Sequence, residues 1–169
     1  GITFKHALSQ IVVKANVADT YTGATFTINS ISLQQMNDNA TLTVTENGDP
    51  VASWDTPFTR DAAFNILTAE TGELNTTLTK IEDPVLVIPQ ALNAQQQKLV
   101  ISYSMTFNGV KTTTSKDVYL NSGASPLTEL AMGKKYTLNL TISADKILYS
   151  PSVAEDWGPI LPANNYGVQ

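Results

Sequence analysis

The sequence predicts an all-β protein, an antiparallel sandwich of about seven to nine strands, and three observations lead there. Apolar residues recur at every second position in several stretches, the pattern that places alternate side chains on one face of a strand. Turn-forming Asn, Gly, Asp and Pro fall between those stretches at short intervals. Only 15% of the 169 residues are charged, below the usual quarter, and Thr, Ser, Asn and Gln take their place, which suits the solvated faces of sheets.

Ile2, Phe4, His6 and Leu8 share one parity and Ile11, Val13, Ala15 and Val17 the other, so the opening strand changes face around Ser9-Gln10. Phe26 and Ile28 slip in the same way against Ile31 and Leu33, and a bulge at Asn29-Ser30 would hold all four inward. Strands follow at residues 41–45 and 51–54, joined through Asn47-Gly48-Asp49-Pro50. Residues 61–67 have helical spacing instead, with Thr59 as N-cap and Ala63, Ile66 and Leu67 on one side. Leu74 to Lys80 and the apolar run Val85 to Ile88 read as two further strands.

Leu99, Ile101, Tyr103, Met105 and Phe107 alternate up to Asn108-Gly109, a pair that tolerates positive φ at both centres of a type I′ hairpin turn. The returning strand is polar on both faces from Lys111 to Lys116. With nothing apolar to bury, it belongs at a sheet edge, where lysines discourage unwanted pairing. Tyr136, Leu138, Leu140 and Ile142, alternating with Thr137, Asn139, Thr141 and Ser143, form the clearest half-buried strand. Helices do not alternate with these strands and no repeat recurs. The expected architecture is therefore a sandwich of Greek-key, transthyretin-like type with at most one short helix. It takes in residues 1–157 as one domain, with 158–169 an irregular tail.

A chain of this length buries roughly two-thirds of its unfolded surface and folds without disulfides or metals. Cysteine is absent, which excludes thiol catalysis, Fe–S clusters and cysteine-ligated zinc while leaving the compartment open. Fifteen acidic residues outnumber ten basic ones and Arg60 is the only arginine. That is a poor endowment for gripping phosphate backbones, so nucleic acid is not an expected partner. No apolar run reaches the roughly 18 residues of a membrane-spanning helix.

Candidate chemistry is sparse. His6 is the only histidine, so an imidazole-dependent triad or metal site would have to use it; its place between Phe4 and Leu8 favours a packed structural role. Ser122-Gly123-Ala124-Ser125 lacks the G-x-S-x-G pattern of a nucleophile elbow. Asp55, Asp61, Glu70 and Glu73 crowd the middle of the chain and read as loop acids before they read as a glycosidase pair. Asn37-Asp38-Asn39 and Glu46-Asn47-Gly48-Asp49 offer oxygen ligands but miss the EF-hand spacing and make good turns. Gly133-Lys134-Lys135 opens a strand and lacks the earlier glycine of a P-loop. No catalytic, metal or cofactor site is expected, and the chain reads as a non-enzyme. Trp54, Trp157, Tyr21, Tyr149 and Tyr166 are candidates for a sugar-stacking face if their rings are exposed.

Four short motifs, in order, bear a resemblance to a known family. They are Phe4-Lys5-His6-Ala7-Leu8-Ser9-Gln10-Ile11, Leu86-Val87-Ile88-Pro89-Gln90, the run Gly133-Lys134-Lys135-Tyr136 continuing through Ile142, and Asp156-Trp157. Together they resemble the C-terminal domain of the fimbrillin-like proteins of Bacteroidales, which include subunits of type V pili. One departure is Leu130-Ala131-Met132, where the family often has a tryptophan before the G-K-K-Y strand.

The resemblance implies a non-catalytic surface protein, a fimbrial subunit or pilus-associated component, whose partners are other fimbrillin subunits or surface ligands. Location at the cell surface, in the fimbrium or anchored to the outer membrane, is implied with it. So is a partner domain, together with an export signal and lipid-anchoring cysteine, upstream of Gly1. Pilus-forming members exchange strands between subunits after cleavage at an arginine, and Arg60, being internal, does not supply that site. If strands are exchanged here, the tail residues Trp157, Ile160, Leu161 and Tyr166 are the donor candidates. The open sheet edge at Lys111, Thr113 and Ser115 is the candidate contact. A glycan-binding surface module is the alternative.

Overall fold

The structure, a computed structural model, describes residues 6–45, 51–55, 60–152 and 154–157. Among them the chain forms fourteen strands and no helix. In order they are β1 (Ser9–Val17), β2 (Ala24–Asn37), β3 (Thr41–Thr45), β4 (Val51–Asp55), β5 (Arg60–Leu67), β6 (Thr79–Lys80) and β7 (Val85–Val87). They continue with β8 (Gln90–Ala91), β9 (Lys98–Phe107), β10 (Val110–Tyr119), β11 (Glu129–Leu130), β12 (Lys134–Ile142), β13 (Ile147–Pro151) and β14 (Glu155–Asp156). Nine of these have five residues or more, in line with the expected all-β sandwich.

Two sheets make the sandwich. One has the order β13-β12-β1-β6, with β14 also pairing β12 and β7 also pairing β1; the other has the order β10-β9-β2-β5. Two small ribbons, β11-β8 and β3-β4, stand apart from them. The inward row of each long strand fills one core: Ile11, Val13, Ala15 and Val17 from β1, Leu138, Leu140 and Ile142 from β12, Phe26, Ile28, Ile31 and Leu33 from β2, and Leu99, Ile101 and Tyr103 from β9. Burial of apolar area on this scale is the dominant stabilising term of such a domain.

The sequence pattern and the pairing agree closely in β2. Its register against β9 breaks between Ile28 and Ser30, so Asn29 is the extra residue of a bulge, and Phe26, Ile28, Ile31 and Leu33 are all within 2% of full burial. Asn29 turns outward and bonds the hydroxyls of Ser102 and Ser104. The β9–β10 turn has φ of +47° at Asn108 and +79° at Gly109, both positive as a type I′ turn requires.

Three expectations need correction. Residues 60–67 are a strand, β5, antiparallel to β2, with register irregularities that leave both Ile66 and Leu67 buried. Ala62, Phe64 and Ile66 are spaced for a strand as well as Ala63, Ile66 and Leu67 are for a helix. A helix this short is not self-sustaining, so pairing with the available side of β2 decides the matter. The strand expected from Leu74 to Lys80 shrinks to Thr79–Lys80, because the segment crosses between sheets. Leu74 N–H bonds Phe26 of β2, while the next carbonyl, Asn75, accepts from Val17 of β1. Finally, the sandwich is not antiparallel throughout, since β1 and β12 pair in parallel over eight residues, Gln10 to Val17 against Lys135 to Ile142.

Candidate assembly surface

The stretch just before and at the start of β1 is held from several directions. The Ala7 carbonyl accepts a 2.7 Å hydrogen bond from Trp54 Nε1 on β4. Leu8 O accepts from Gly133 N at 3.0 Å, and Ser9 Oγ donates to Ala131 O at 2.8 Å. The His6 ring stacks on Trp157 with centroids 3.7 Å apart and planes 16° from parallel, and Trp157 N–H bonds Gly133 O. Gly133 is required here: its φ is +71°, and a Cβ would stand 3.3 Å from the His6 carbonyl oxygen. Tyr136, buried, accepts from Ala131 N through its hydroxyl at 2.7 Å.

The short strand β14 is clipped to β12 by ion pairs of Lys134 with Asp156 and of Lys135 with Glu155. The hydrogen bond from Lys135 holds the Glu155 carboxyl below its ordinary value of 4.5. A depressed carboxylate contributes stability above that ordinary value and loses it as pH falls through the lower, folded one. Acidification below about pH 4.5 should therefore reduce amide-exchange protection at Trp157, modestly because both pairs are exposed. Protection unchanged down to the onset of global unfolding would show that the clip carries no weight. Replacing His6 with alanine should cost about 0.5–1.5 kcal/mol, the usual worth of a stacked ring pair. A denaturation midpoint and tryptophan emission both unchanged in that variant would deny the stack any role.

The second feature is an edge. Among the described residues β10 pairs only with β9, through ten residues from Val110 to Tyr119, so along its other side every second backbone N–H and C=O has no strand to meet. Val118 points inward and Lys111, Thr113 and Ser115 share the opposite parity, on the sheet's outer face. Lys111 bonds Glu70 Oε1 at 2.6 Å and Thr113 meets the Ser104 hydroxyl at 2.9 Å. Lys111, together with Thr27, holds the Glu70 carboxyl below its usual range.

Residues 1–157 match the sequence pattern of the fimbrillin-like family. The chain belongs to this family. Among solved structures, a candidate cell adhesion protein from Bacteroides uniformis is 25% identical with a TM-score of 0.53, over 92% of this chain and 52% of its own. A fimbrial protein from Bacteroides vulgatus shares the fold at 18% identity and a TM-score of 0.53, over 92% of this chain and 56% of its own. The chain thus spans little more than half the length of these structures. Comparison with curated protein sequences finds no match.

In this fimbrillin-like chain the motifs that carry the resemblance converge on the start of β1. Val87 of the L-V-I-P-Q segment pairs with Ser9. Gln90 of the same segment takes the Asn37 amide hydrogen on its Oε1 at 3.0 Å. Leu130 of β11, in the Leu130-Ala131-Met132 stretch before the G-K-K-Y strand, is 1% exposed and belongs to the core. The motifs that carry the resemblance are in this sense a structural latch between the first and last strands of the described residues.

Most rings considered for sugar stacking are consumed by packing. Trp54 and Trp157 belong to the latch, and Tyr149 donates to Leu120 O while its burial pushes its phenol well above the usual range; Tyr21 touches Phe26 but stays exposed. Asp55 accepts from Thr43 Oγ1 at 2.9 Å, and Ser122 Oγ is turned onto Tyr119 O. Among the described residues, no three His, Asp or Glu side chains gather as a metal would need. Ile160, Leu161, Tyr166 and residues 46–49 lie outside the described residues, as does the N-cap candidate Thr59. The Asp61 carboxylate lies outside the described side chains.

Proposed function

We propose that the chain is a non-catalytic structural or adhesive component of the bacterial cell surface, a fimbrial subunit or pilus-associated protein that joins fimbrillin-like partners through β-strand contacts. Family membership across residues 1–157 carries this reading, and the name of the Bacteroides uniformis neighbour, a candidate cell adhesion protein, supports it. The β10 edge supplies the physical means. A partner strand laid along it gains main-chain hydrogen bonds worth about 0.5–1.5 kcal/mol each, while Lys111 and Lys116 disfavour indiscriminate pairing. In this reading Ile160, Leu161 and Tyr166 belong to the donor strand, and Trp157, fixed on His6, is its root. Export to the surface and outer-membrane anchoring form part of the same proposal.

Immunogold electron microscopy of the source bacterium, with antibody to this chain, is the first test. Labelled filaments are the expected result; label only inside permeabilised cells would overturn the reading. The contact itself is tested by Thr112→Pro and Thr113→Pro. Successive N–H groups of an edge strand point to opposite sides, so one proline blocks the open side and the other breaks a bond to β9. Thr113→Pro, on the open side, should abolish filament formation in the full-length protein while keeping the monomer's thermal midpoint, whereas Thr112→Pro breaks a bond to β9. Filaments formed normally by both variants, or after removal of residues 158–169, would remove the corresponding contact from the proposal.

A further inference from the structure

From Val110 to Val118 the open edge of β10 is close to its own complement. Counted outward from Thr114, Thr113 stands level with Ser115, Thr112 with Lys116, Lys111 with Asp117 and Val110 with Val118. An antiparallel strand of the same sequence, centred on Thr114, sets hydroxyl against hydroxyl, lysine against aspartate and valine against valine.

The backbone allows this register. The two-residue turn at Asn108-Gly109 makes Phe107 and Val110 a hydrogen-bonded pair, so the even residues of β10 bond β9 and the odd ones direct N–H and C=O to the open side. Lys111, Thr113, Ser115 and Asp117 are those odd residues, and all of them are exposed. With two copies centred on Thr114, Lys111 of one meets Asp117 of the other and Thr113 meets Ser115, each as a hydrogen-bonded pair. Thr114 itself falls on the two-fold axis as a non-hydrogen-bonded pair. A slip of one residue sets odd against even and misplaces both the hydrogen bonds and the faces. A slip of two parts Lys111 from Asp117.

The side chains favour the same register, since opposite charges directly across an antiparallel pair are stabilising. Within one copy Lys111 already bonds Glu70, and the Asp117 Oδ2 already bonds Lys98, each at 2.6 Å. An ammonium has three donors and a carboxylate has a second oxygen. Pairing two copies therefore joins Glu70 and Lys111 of one to Asp117 and Lys98 of the other in a row of alternating charge. Beside that row Val110, at 67% the most exposed large apolar side chain among the described residues, comes to lie opposite Val118.

From this self-complementarity we infer that the β10 edge takes a second copy of the chain, bound β10 to β10 about a two-fold axis at Thr114, so that two four-stranded sheets become continuous. The inference rests on the strand-contact reading above and names the partner of this edge. An isologous contact closes on itself, so it supplies a pair and leaves lengthwise growth of a fibre to another contact.

Sedimentation of the chain should show a monomer–dimer equilibrium between micromolar and millimolar concentration. Lys111→Glu and Asp117→Lys should each weaken the dimer roughly tenfold, because each puts like charges across both symmetric pairs. An equimolar mixture of the two variants should dimerise again, since opposite charges then face each other at both ends. The chain has no cysteine, so Thr114→Cys can form a disulfide only between copies. On the axis its Cα atoms stand about 4.5 Å apart, within disulfide range, and oxidised glutathione should cross-link it rapidly; Thr112→Cys, placed against Lys116, should stay uncross-linked. A chain that remains monomeric throughout, charge variants that dimerise like the parent, a mixture no better than either variant alone, or equal cross-linking at both cysteine positions would each overturn the inference. Labelled filaments do not depend on this register, so its failure leaves the fimbrial reading standing, and an intact dimer without surface label sinks that reading alone.

Discussion

Deleting Thr27 should destabilise the protein by about 2–5 kcal/mol, whereas deleting Asn29, two residues further on, should leave it folded. The two deletions shorten β2 equally and differ only in what they do to parity. Asn29 is the surplus residue of the bulge, with Ile28 opposite Tyr103 and Ser30 opposite Ser102. Without it the strand becomes regular, and Phe26, Ile28, Ile31 and Leu33 all keep the inward face. The loss is limited to the hydrogen bonds of Asn29 to Ser102 and Ser104, about 1–2 kcal/mol together. Removing Thr27 instead makes Phe26 and Ile28 adjacent, so one of them must turn to solvent. Both are at most 2% exposed, and emptying a buried aromatic or isoleucine site costs about 2–5 kcal/mol, a large share of the 5–15 kcal/mol a domain has. Urea denaturation of the two variants decides the point; equal midpoints would refute the bulge assignment.

The same parity reasoning shows where the sequence is readable and where it is not. Alternation in β9 and β12, the slip at Asn29, the Asn108-Gly109 turn and the polar character of β10 are local signals, set by residues within one strand, and they survive folding unchanged. The slip between Leu33 and Met36 is equally visible, two apolar residues three apart with Gln34-Gln35 between them. What local patterns could not supply is partnership. Residues 60–67 fit two periods at once, and β2 chose between them. Leu74 and Asn75 serve different sheets, so no single strand contains them. The parallel union of β1 and β12 joins segments more than a hundred residues apart and leaves no mark in either. The latch is intermediate in this respect. Its motifs were recognisable as family features, but only the fold shows that His6, Trp54, Gly133 and Trp157 share one place.

The parallel union also predicts how the molecule comes apart. Leu138 is 0% exposed at the centre of β12, opposite Val13 of β1. Leu138→Ala removes buried methyls from a core drawn from both sheets and should cost about 2–5 kcal/mol. For a chain of this length that corresponds to a fall in thermal midpoint of roughly 5–15 °C. Thr137→Ala, one residue away on the outer face, should stay within about 0.5 kcal/mol of the parent. Both tryptophans report on the latch, Trp54 through Ala7 and Trp157 through His6, while far-ultraviolet circular dichroism reports on the sheets. Because β1 runs directly from the latch into its pairing with β12, Leu138→Ala should lower the fluorescence and dichroism midpoints together. If the fluorescence transition kept its parental midpoint while the dichroism moved, the latch would be a unit of its own, and β1 and β14 would not be held as one.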